Sequence, residues 1–390
     1  LMETSRLQIV DALRGFAIVS IMLLHNLEHF DFYFTPENLP LWIQASDKII
    51  WDTLFFLFSG KSYAIFALLF GLTFYIQDSN QQKNGRDFRV RFAWRLLLLL
   101  LFGIINSAFY EGDILTIYAI LGFALIPVAR LSNKVVLIIA LLLMLQPFEL
   151  LKLLYVLFID KSTVVSDPAS WAYFGKMGEY ITGTNLWDTL YGNLTNGKTA
   201  VLIWTWEVGR VPQTISLFLL GMLAGRFKLF VYSVEMIRFW RKILLSVIVL
   251  FLVFWFISLY LGQIFSNKAA LRSAETILKT WSNLSFMLFL VSGFVLLYQY
   301  IKLNKVLNVL SPIGRMSLSN YMIQSIVGSF IYYGFGLGLY KYTGATYCLL
   351  IGIILAVLQG IFSKWWMKDH RQGPLETIWH RLTWIGSRKG

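Results

Sequence analysis

Apolar stretches of roughly twenty residues recur along almost the whole chain and are separated by short polar segments. A helix needs about 20 mostly apolar residues to cross the hydrocarbon of a bilayer. Few stretches show the alternation of apolar and polar residues that is typical of the strands of a membrane barrel. Every backbone polar group in lipid must form a hydrogen bond within the protein, so the spanning elements are expected to be helices. The pattern predicts ten spans, at 9–30, 50–77, 92–110, 114–130, 135–158, 201–225, 241–263, 278–301, 312–337 and 344–366.

Lys and Arg are distributed unevenly among the segments between these spans. They are dense in 78–91 and 226–242, for example, and sparse in the alternate set of segments. Cytoplasmic segments carry the excess of Lys and Arg, so both chain ends are expected in the cytoplasm. We therefore predict an all-α integral membrane bundle of about ten transmembrane helices, with 1–390 as one unit, an outer loop at 159–198 and a cytoplasmic amphipathic tail at 367–390.

The composition excludes an ordinary soluble enzyme and a disordered chain. Hydrophobic residues make up 57% of the 390 residues and charged residues 14%, whereas soluble domains carry about 25% charged residues. An ordinary soluble enzyme is therefore excluded. The formal net charge of +13 indicates contact with anionic membrane lipid rather than nucleic acid in such an apolar chain. The oligomeric state stays open.

Four ionisable side chains lie on one face of the first span. At about 100° per residue, Arg14 and His25 point in directions about 20° apart, and Asp11 and Glu28 fall within about 60° of the same line. Charged side chains inside a membrane are costly and mark functional sites, so this stripe should face the bundle interior. His25 should lie about 16 Å outward from Arg14 along the helix.

This geometry favours a reaction between a cytosolic donor and an acceptor from the other side. Arg14 could bind a phosphate or carboxylate, and His25 could take a proton from an acceptor hydroxyl or amine. Glu28 could orient the imidazole and raise its basicity. A satisfied polar seam between helices, without chemistry, explains the same stripe equally well.

The segment from His25 to His29 also fits H-x-x-E-H, a pattern of zinc hydrolases. His25 and His29 are four residues apart and would share a helix face, and Glu28 could act as the base. A third protein ligand is not evident. We expect no bound metal or cofactor, and an intramembrane zinc hydrolase stays as an alternative.

Other ionisable residues in or beside the spans are candidates for binding a substrate. Lys61 is expected to mark a broken helix near Asp52 that lines a cavity. Glu207 and Arg210 are three residues apart and favour an intrahelical pair. If Pro212 breaks that helix, both side chains could instead line the cavity.

Asp113, Arg95 and Arg315 lie near span ends. Asp113 is expected to cap the helix that follows it. Arg95 and Arg315 could snorkel towards the surface, or they could contact the phosphates of a donor.

Several motifs along the chain are familiar as a set, and the clearest is the opening RLQIVDALRGFA at 6–17. Further motifs follow at 60–71, 112–119, 219–226, 314–321 and 373–383. In this order, along nearly the whole chain, they resemble the motifs of the YeiB family of bacterial multi-spanning membrane proteins. The chain is identified on these motifs as a member of that family.

The first span of this family is similar to that of the transmembrane acyltransferases, which include the type-three acyltransferases and heparan glucosaminide N-acetyltransferase. In the type-three group an Arg is followed eleven residues later by an essential His, and Arg14 and His25 repeat this spacing. The resemblance implies transfer of an acyl group from cytosolic acyl-CoA, a co-substrate, to an envelope glycan, a lipid or a small acceptor.

The resemblance also bears on single residues. Arg91 with Arg95 is the nearest match to the paired arginines of the type-three group. Members of the YeiB family commonly have Asn at the position of His25, and Asn26 comes next. The likeness therefore leaves open whether His25 or Asn26 takes the active position.

These observations predict a multi-pass protein of the bacterial inner membrane whose leading function is acyl transfer. His25 is the expected general base, with Glu28 as its orienter. A transporter or solute-binding protein that uses the same stripe is the second hypothesis. The expected contacts to the donor anion are Arg14, Arg91, Arg95 and Arg315.

Overall fold

A computed structural model describes residues 7–36 and 39–385, which contain helices and no strand. A π-helical turn lies at Asn193–Gly197. The α-helices are α1 (Gln8–Leu27), α2 (Leu41–Phe58), α3 (Ser62–Lys83), α4 (Arg89–Phe109), α5 (Leu115–Gly122), α6 (Leu125–Val128), α7 (Asn133–Met144), α8 (Pro147–Phe158), α9 (Ala169–Phe174), α10 (Met177–Ile181), α11 (Leu186–Gly192), α12 (Lys198–Glu207), α13 (Arg210–Arg226), α14 (Val234–Ile264), α15 (Lys268–Tyr298), α16 (Ile301–Leu307), α17 (Ser311–Arg315), α18 (Ser317–Tyr332), α19 (Ala345–Asp369) and α20 (Pro374–Thr383).

Within the described residues, six helical stretches are long and apolar enough to cross a bilayer: α1, the stretch Leu41–Lys83, α4, α14, α15 and α19. Two bent pairs, α7 with α8 and Leu186–Glu207 with α13, raise the number to as many as eight. The protein is therefore a helical membrane bundle, as predicted, with fewer qualifying spans than the expected ten. The predicted spans 114–130 and 312–337 are divided into shorter helices, which explains the difference.

The predicted span 50–77 contains a break at Lys61, as expected. α2 ends at Phe58, and α3 begins at Ser62. Gly60 between them has a φ of 76°, a conformation that glycine adopts at little cost. The two helices together form one apolar stretch of 43 residues, which extends beyond the predicted span at both ends.

The two bent pairs contact each other at their breaks. Gln146, just before Pro147 at the start of α8, and Gly209, just before α13, both have positive φ values. The side-chain amide of Gln146 donates to the carbonyl oxygen of Gly209 at 2.7 Å and to Thr280 Oγ1 at 3.0 Å. A side chain thus forms a hydrogen bond with a backbone carbonyl group at the break. Such bonds are needed inside a membrane, where no water is present to form them.

The helices differ strongly in how far they lie inside the bundle. In its most apolar window α1 is 67% buried, whereas α14 is 6% buried. α1 packs against α3, α17, α18 and α19, and α14 packs mainly against α15. α1 is therefore a central helix, and α14 faces lipid along most of its length.

The described ends of the chain lie at the same end of the bundle. α20 packs against α4 and α18, and Trp94 Nε1 donates to the carbonyl oxygen of Leu382 at 3.0 Å. The segment 159–198 at the other end contains α9, α10 and α11. Asn193 Nδ2 joins this segment to α4 through the carbonyl oxygen of Ala108 at 3.0 Å.

α3 and α13 approach each other closely through two glycines. A Cβ atom on Gly71 would overlap the carbonyl oxygen of Phe218, and one on Gly221 would overlap the carbonyl oxygen of Leu68. Small residues permit such backbone contact between membrane helices, where van der Waals packing drives association.

Gly221→Ala should push α3 and α13 apart and lower the Tm of the purified protein, because overpacking costs about 1–3 kcal/mol. Gly262→Ala is the matched control. Gly262 lies in α14, and an added Cβ there meets no heavy atom within 4 Å. Its Tm should stay equal or rise, since Ala is the better helix former. Equal unfolding temperatures for the two variants in detergent would contradict this packing.

Candidate functional site

The polar stripe of α1 faces the bundle interior at both ends. The Arg14 and His25 side chains are 16% and 15% exposed. Ile18 and Ile21, which lie between them on the same face, are buried in the apolar core. The stripe therefore forms two separate sites, which we call the inner site at Arg14 and the outer site at His25.

His25 belongs to a hydrogen-bonded group at the outer site. Its Nδ1 lies 3.3 Å from Glu28 Oε2 and 2.9 Å from the Tyr110 hydroxyl. Tyr33 donates to the other carboxylate oxygen of Glu28 at 3.1 Å. Because an ionised carboxylate only accepts, Glu28 places the proton of a neutral His25 on Nδ1. Nε2, which lies 3.4 Å from the Tyr110 hydroxyl, is then the proton acceptor.

The chain leaves α1 through three successive residues in the left-handed conformation. His29, Phe30 and Asp31 have φ values of 47°, 56° and 64°. This conformation costs a non-glycine residue about 1–2 kcal/mol, so neighbouring contacts must hold it. The Phe30 N–H donates to the carbonyl oxygen of His25 at 2.7 Å, and the Tyr333 hydroxyl donates to the carbonyl oxygen of Phe30 at 2.8 Å.

This turn brings Asp31 against His25 and Glu28. One oxygen or nitrogen atom of each side chain lies within 4.8 Å of the others, and Tyr110 hydrogen-bonds to Asp31. Burial, and next the negative charge of Glu28, raise the pKa of Asp31 to about 7. Sequence reasoning misses Asp31, because a left-handed turn of non-glycine residues has no recognisable sequence signal.

Asn26 points away from the outer site. Its Nδ2 donates to the carbonyl oxygen of Met22 at 2.8 Å, and its Oδ1 accepts from the Tyr332 hydroxyl at 2.9 Å. Of the two neighbouring residues, His25 is therefore the one that faces the carboxylates.

His29 also points away from the outer site. The pair of metal ligands considered from the sequence, His25 and His29, is therefore wrong. Its Nε2 lies 2.8 Å from the carbonyl oxygen of Thr343. The left-handed turn begins at His29 and rotates its ring away from His25. Asp31, not His29, completes the group of potential ligands.

A second buried charged group lies beside the outer site. Asp113 accepts from Asn106 Nδ2 and from the Thr116 N–H, each at 2.9 Å, so its carboxylate caps the start of α5 as expected. Lys198 donates to the carbonyl oxygen of Asp113 at 2.8 Å. Burial raises the pKa of Glu111, whose Oε1 has no hydrogen-bond partner among the described residues. Sequence reasoning does not single out Glu111 or Lys198.

A cavity of about 280 Å³ opens at the inner site. Arg14 from α1, Arg95 from α4 and Arg315 from α17 line it, so three of the expected donor contacts converge. Arg95 is 9% exposed and stacks 4.1 Å above the Trp379 ring. It forms no ion pair with a carboxylate in the described part of the chain. Because a buried charge is costly unless it is paired, the cavity is suited to an anion.

The other two arginines of the inner site also contact protein groups. Arg14 lies 3.3 Å from Asp11 Oδ1 and donates to Thr73 Oγ1 at 2.8 Å. Arg315 donates to the carbonyl oxygen of Arg371 at 2.9 Å. These contacts fix the direction of both guanidinium groups at the cavity wall.

Glu376 contributes a negative charge to the same wall. Its carboxylate accepts from the N–H groups of Leu318 and Ser319 at 2.7 and 3.2 Å. The start of α18 carries partial positive charge, which offsets the charge of Glu376.

Arg91 lies outside this cavity, unlike the other three expected donor contacts. It donates to the carbonyl oxygen of Thr383 at 2.8 Å and faces the Trp384 ring. Its position joins α4 to the end of α20.

Asp52 and Lys61 lie apart from both sites and do not pair with each other. Asp52 is exposed and pairs with Lys48 at 2.8 Å. Lys61 marks the break between α2 and α3, as expected, but its Nζ donates to the carbonyl oxygen of Phe56 at 2.8 Å.

Glu207 and Arg210 do not form the expected intrahelical pair. Gly209 lies between them at a 73° bend, and the two side chains diverge. Glu207 accepts from the Ala169 N–H at 2.7 Å. The Arg210 guanidinium lies 4.1 Å from the Trp204 ring.

Comparison with known proteins places this arrangement in a family. Residues 224–386 match the family described as "Protein of unknown function (DUF418)". The chain is 30% identical to the uncharacterised protein YxaH of Bacillus subtilis (strain 168), over 98% of this chain and 96% of that protein. It is 25% identical to the uncharacterised protein YeiB of Escherichia coli (strain K12), over 96% of this chain and 95% of that protein.

A third relative, an uncharacterised 39.9 kDa protein of Bacillus acidopullulyticus, is 25% identical over 97% of this chain and 94% of its own length. These three likenesses each extend over 96–98% of the chain. The chain therefore belongs to the YeiB-like family of bacterial proteins, together with YxaH.

Proposed function

We propose that the protein is an acyltransferase of the bacterial inner membrane that moves an acyl group from cytosolic acyl-CoA to an envelope glycan, a lipid or a small acceptor. The observation that carries this proposal is Arg95, buried in the wall of the inner cavity without a carboxylate partner in the described chain. The phosphates of acyl-CoA are an anion of suitable chemistry, because guanidinium groups bind phosphate through paired hydrogen bonds.

The outer site supports the second half of the reaction. Nε2 of His25 takes the proton from an acceptor hydroxyl or amine while the acceptor atom bonds to the acyl carbon. The carbon–sulfur bond of the thioester breaks, and the proton passes to the sulfur of CoA. Glu28 fixes the ring through Nδ1 and stabilises the positive charge that His25 carries in between.

The two sites are joined by the buried face of α1. They are eleven residues apart, or about 16 Å along the helix. The inner cavity reaches Leu115 and Tyr118 of α5, close to the buried group around Asp113. To reach His25, the thioester arm of the donor would have to displace side chains packed along this face, such as Ile18 and Ile21, which are buried.

Arg95→Gln should weaken the binding of radiolabelled acetyl-CoA to the purified protein by about tenfold or more, because a hydrogen bond to a charged group contributes about 1.5–3 kcal/mol. Arg272→Gln is the matched control, since Arg272 donates to the carbonyl oxygen of Ser166 in the segment 159–198. Equal affinities for the two variants, or no binding by the native protein, would contradict the donor site.

His25→Ala should lower acyl transfer about 10²–10⁴-fold, which is the usual effect of a general base, and should leave acetyl-CoA binding unchanged. Transfer of label from acetyl-CoA to the lipid and glycan fractions of membrane vesicles measures the rate. His370→Ala is the control, because His370 is exposed and stacks on Trp366.

Full activity of His25→Ala would remove His25 from the mechanism. Counterflow of a solute in liposomes by protein that transfers no label would favour a transporter instead.

A further inference from the structure

Carboxyl groups outnumber cations in and beside the outer site. The carboxyl groups of Glu28, Asp31, Glu111 and Asp113 interact with one another and with two cations, Lys198 and Arg210. Like charges repel strongly in a medium of low dielectric constant. A cation bound between the carboxyl groups would reduce that repulsion.

The potential ligand atoms are already grouped. A nitrogen of His25 and carboxylate oxygens of Glu28 and Asp31 lie within 4.8 Å of one another. The Nδ1 to Oε2 distance of 3.3 Å is long for a charge-assisted hydrogen bond, which is about 2.7–2.9 Å. It matches the edge of a tetrahedron around a zinc ion with bonds of about 2.0–2.2 Å.

Neighbouring tyrosine side chains hold these potential ligands in place. Tyr33 occupies Glu28 Oε1 and so turns Oε2 towards His25. Tyr110 hydrogen-bonds to both His25 and Asp31. Hydroxyl partners of this kind orient metal ligands in proteins.

We infer that His25, Glu28 and Asp31 form a binding site for a divalent cation of the zinc class, with three protein ligands and an open position for water. One imidazole nitrogen and two carboxylates suit Zn²⁺, whereas Mg²⁺ and Ca²⁺ prefer ligands that are all oxygen. The metal would bind Nδ1, which is the nitrogen that faces Glu28.

A metal ion at this site would inhibit acyl transfer. This consequence rests on the proposed function. A neutral imidazole carries one proton, so metal on Nδ1 moves the proton to Nε2. Nε2 then donates and cannot accept the proton of an acceptor. Zn²⁺ binding and general-base catalysis by His25 therefore exclude each other.

Titration of metal-free, full-length protein with ZnCl₂ by calorimetry tests the site. We expect one Zn²⁺ per chain and an affinity more than about 100-fold weaker in Asp31→Asn, because removing an outer-shell partner alone costs about 10–100-fold. Asp52→Asn is the matched control, because Asp52 is an exposed carboxylate of the neighbouring α2. The same affinity in both variants, or no binding by the native protein, would overturn the inference.

Two further measurements separate a lost ligand from a misfolded variant. Zn²⁺ should raise the Tm of the native protein and of Asp52→Asn, but not of Asp31→Asn, since a ligand stabilises only the state that binds it. Co²⁺ should give the visible spectrum of a four- or five-coordinate ion in the native protein and lose it in Glu28→Gln. An unchanged spectrum in Glu28→Gln would remove that ligand.

Because the binding of Zn²⁺ is measured without acyl-CoA, the experiment tests the metal site independently of the proposed acyl transfer. Zn²⁺ binding without acyl transfer by the metal-free protein would remove the transferase and keep the metal site. Acyl transfer without Zn²⁺ binding would do the reverse. If both are correct, added Zn²⁺ should lower the transfer rate of the native protein.

Discussion

The architecture depends on keeping the ionisable side chains of α1 out of lipid. Arg14, His25 and Glu28 each point inward, and the cost of exposing them to hydrocarbon explains why α1 is a central helix. The apolar α14, which has no such residue in its middle, lies at the edge instead. The position of one helix thus determines where both candidate sites lie, since each site is built around one of its ends.

The two ends of α1 differ in electrostatic character. Arginines from three helices meet at the inner site, whereas carboxylates and an imidazole meet at the outer site. The same helix therefore carries a cluster of guanidinium groups at one end and a cluster of carboxyl groups around His25 at the other.

The hydrophobic periodicity and the positions of the charged residues predict the overall arrangement of the helices better than they predict its details. For Arg95 and Arg315 the sequence left snorkelling and a donor contact open, and the structure places both side chains in the wall of one cavity. The inward stripe of α1 follows from the cost of placing charge in lipid. The bends at Gln146 and Gly209 do not, because apolar residues continue through both. The sequence does not predict the positions of three further residues, Asp31, Glu111 and Lys198. An unusual turn and contacts between distant parts of the chain bring them together, and neither the turn nor such contacts leave a recognisable pattern in the local sequence.

The C-terminal helix ties the shape of the inner cavity to the packing of the helices around it. α20 lines one wall of the cavity with Trp379 and holds α18 through Glu376. Because α20 packs against both α4 and α18, a change that loosens either contact would also reshape the wall beside Arg95.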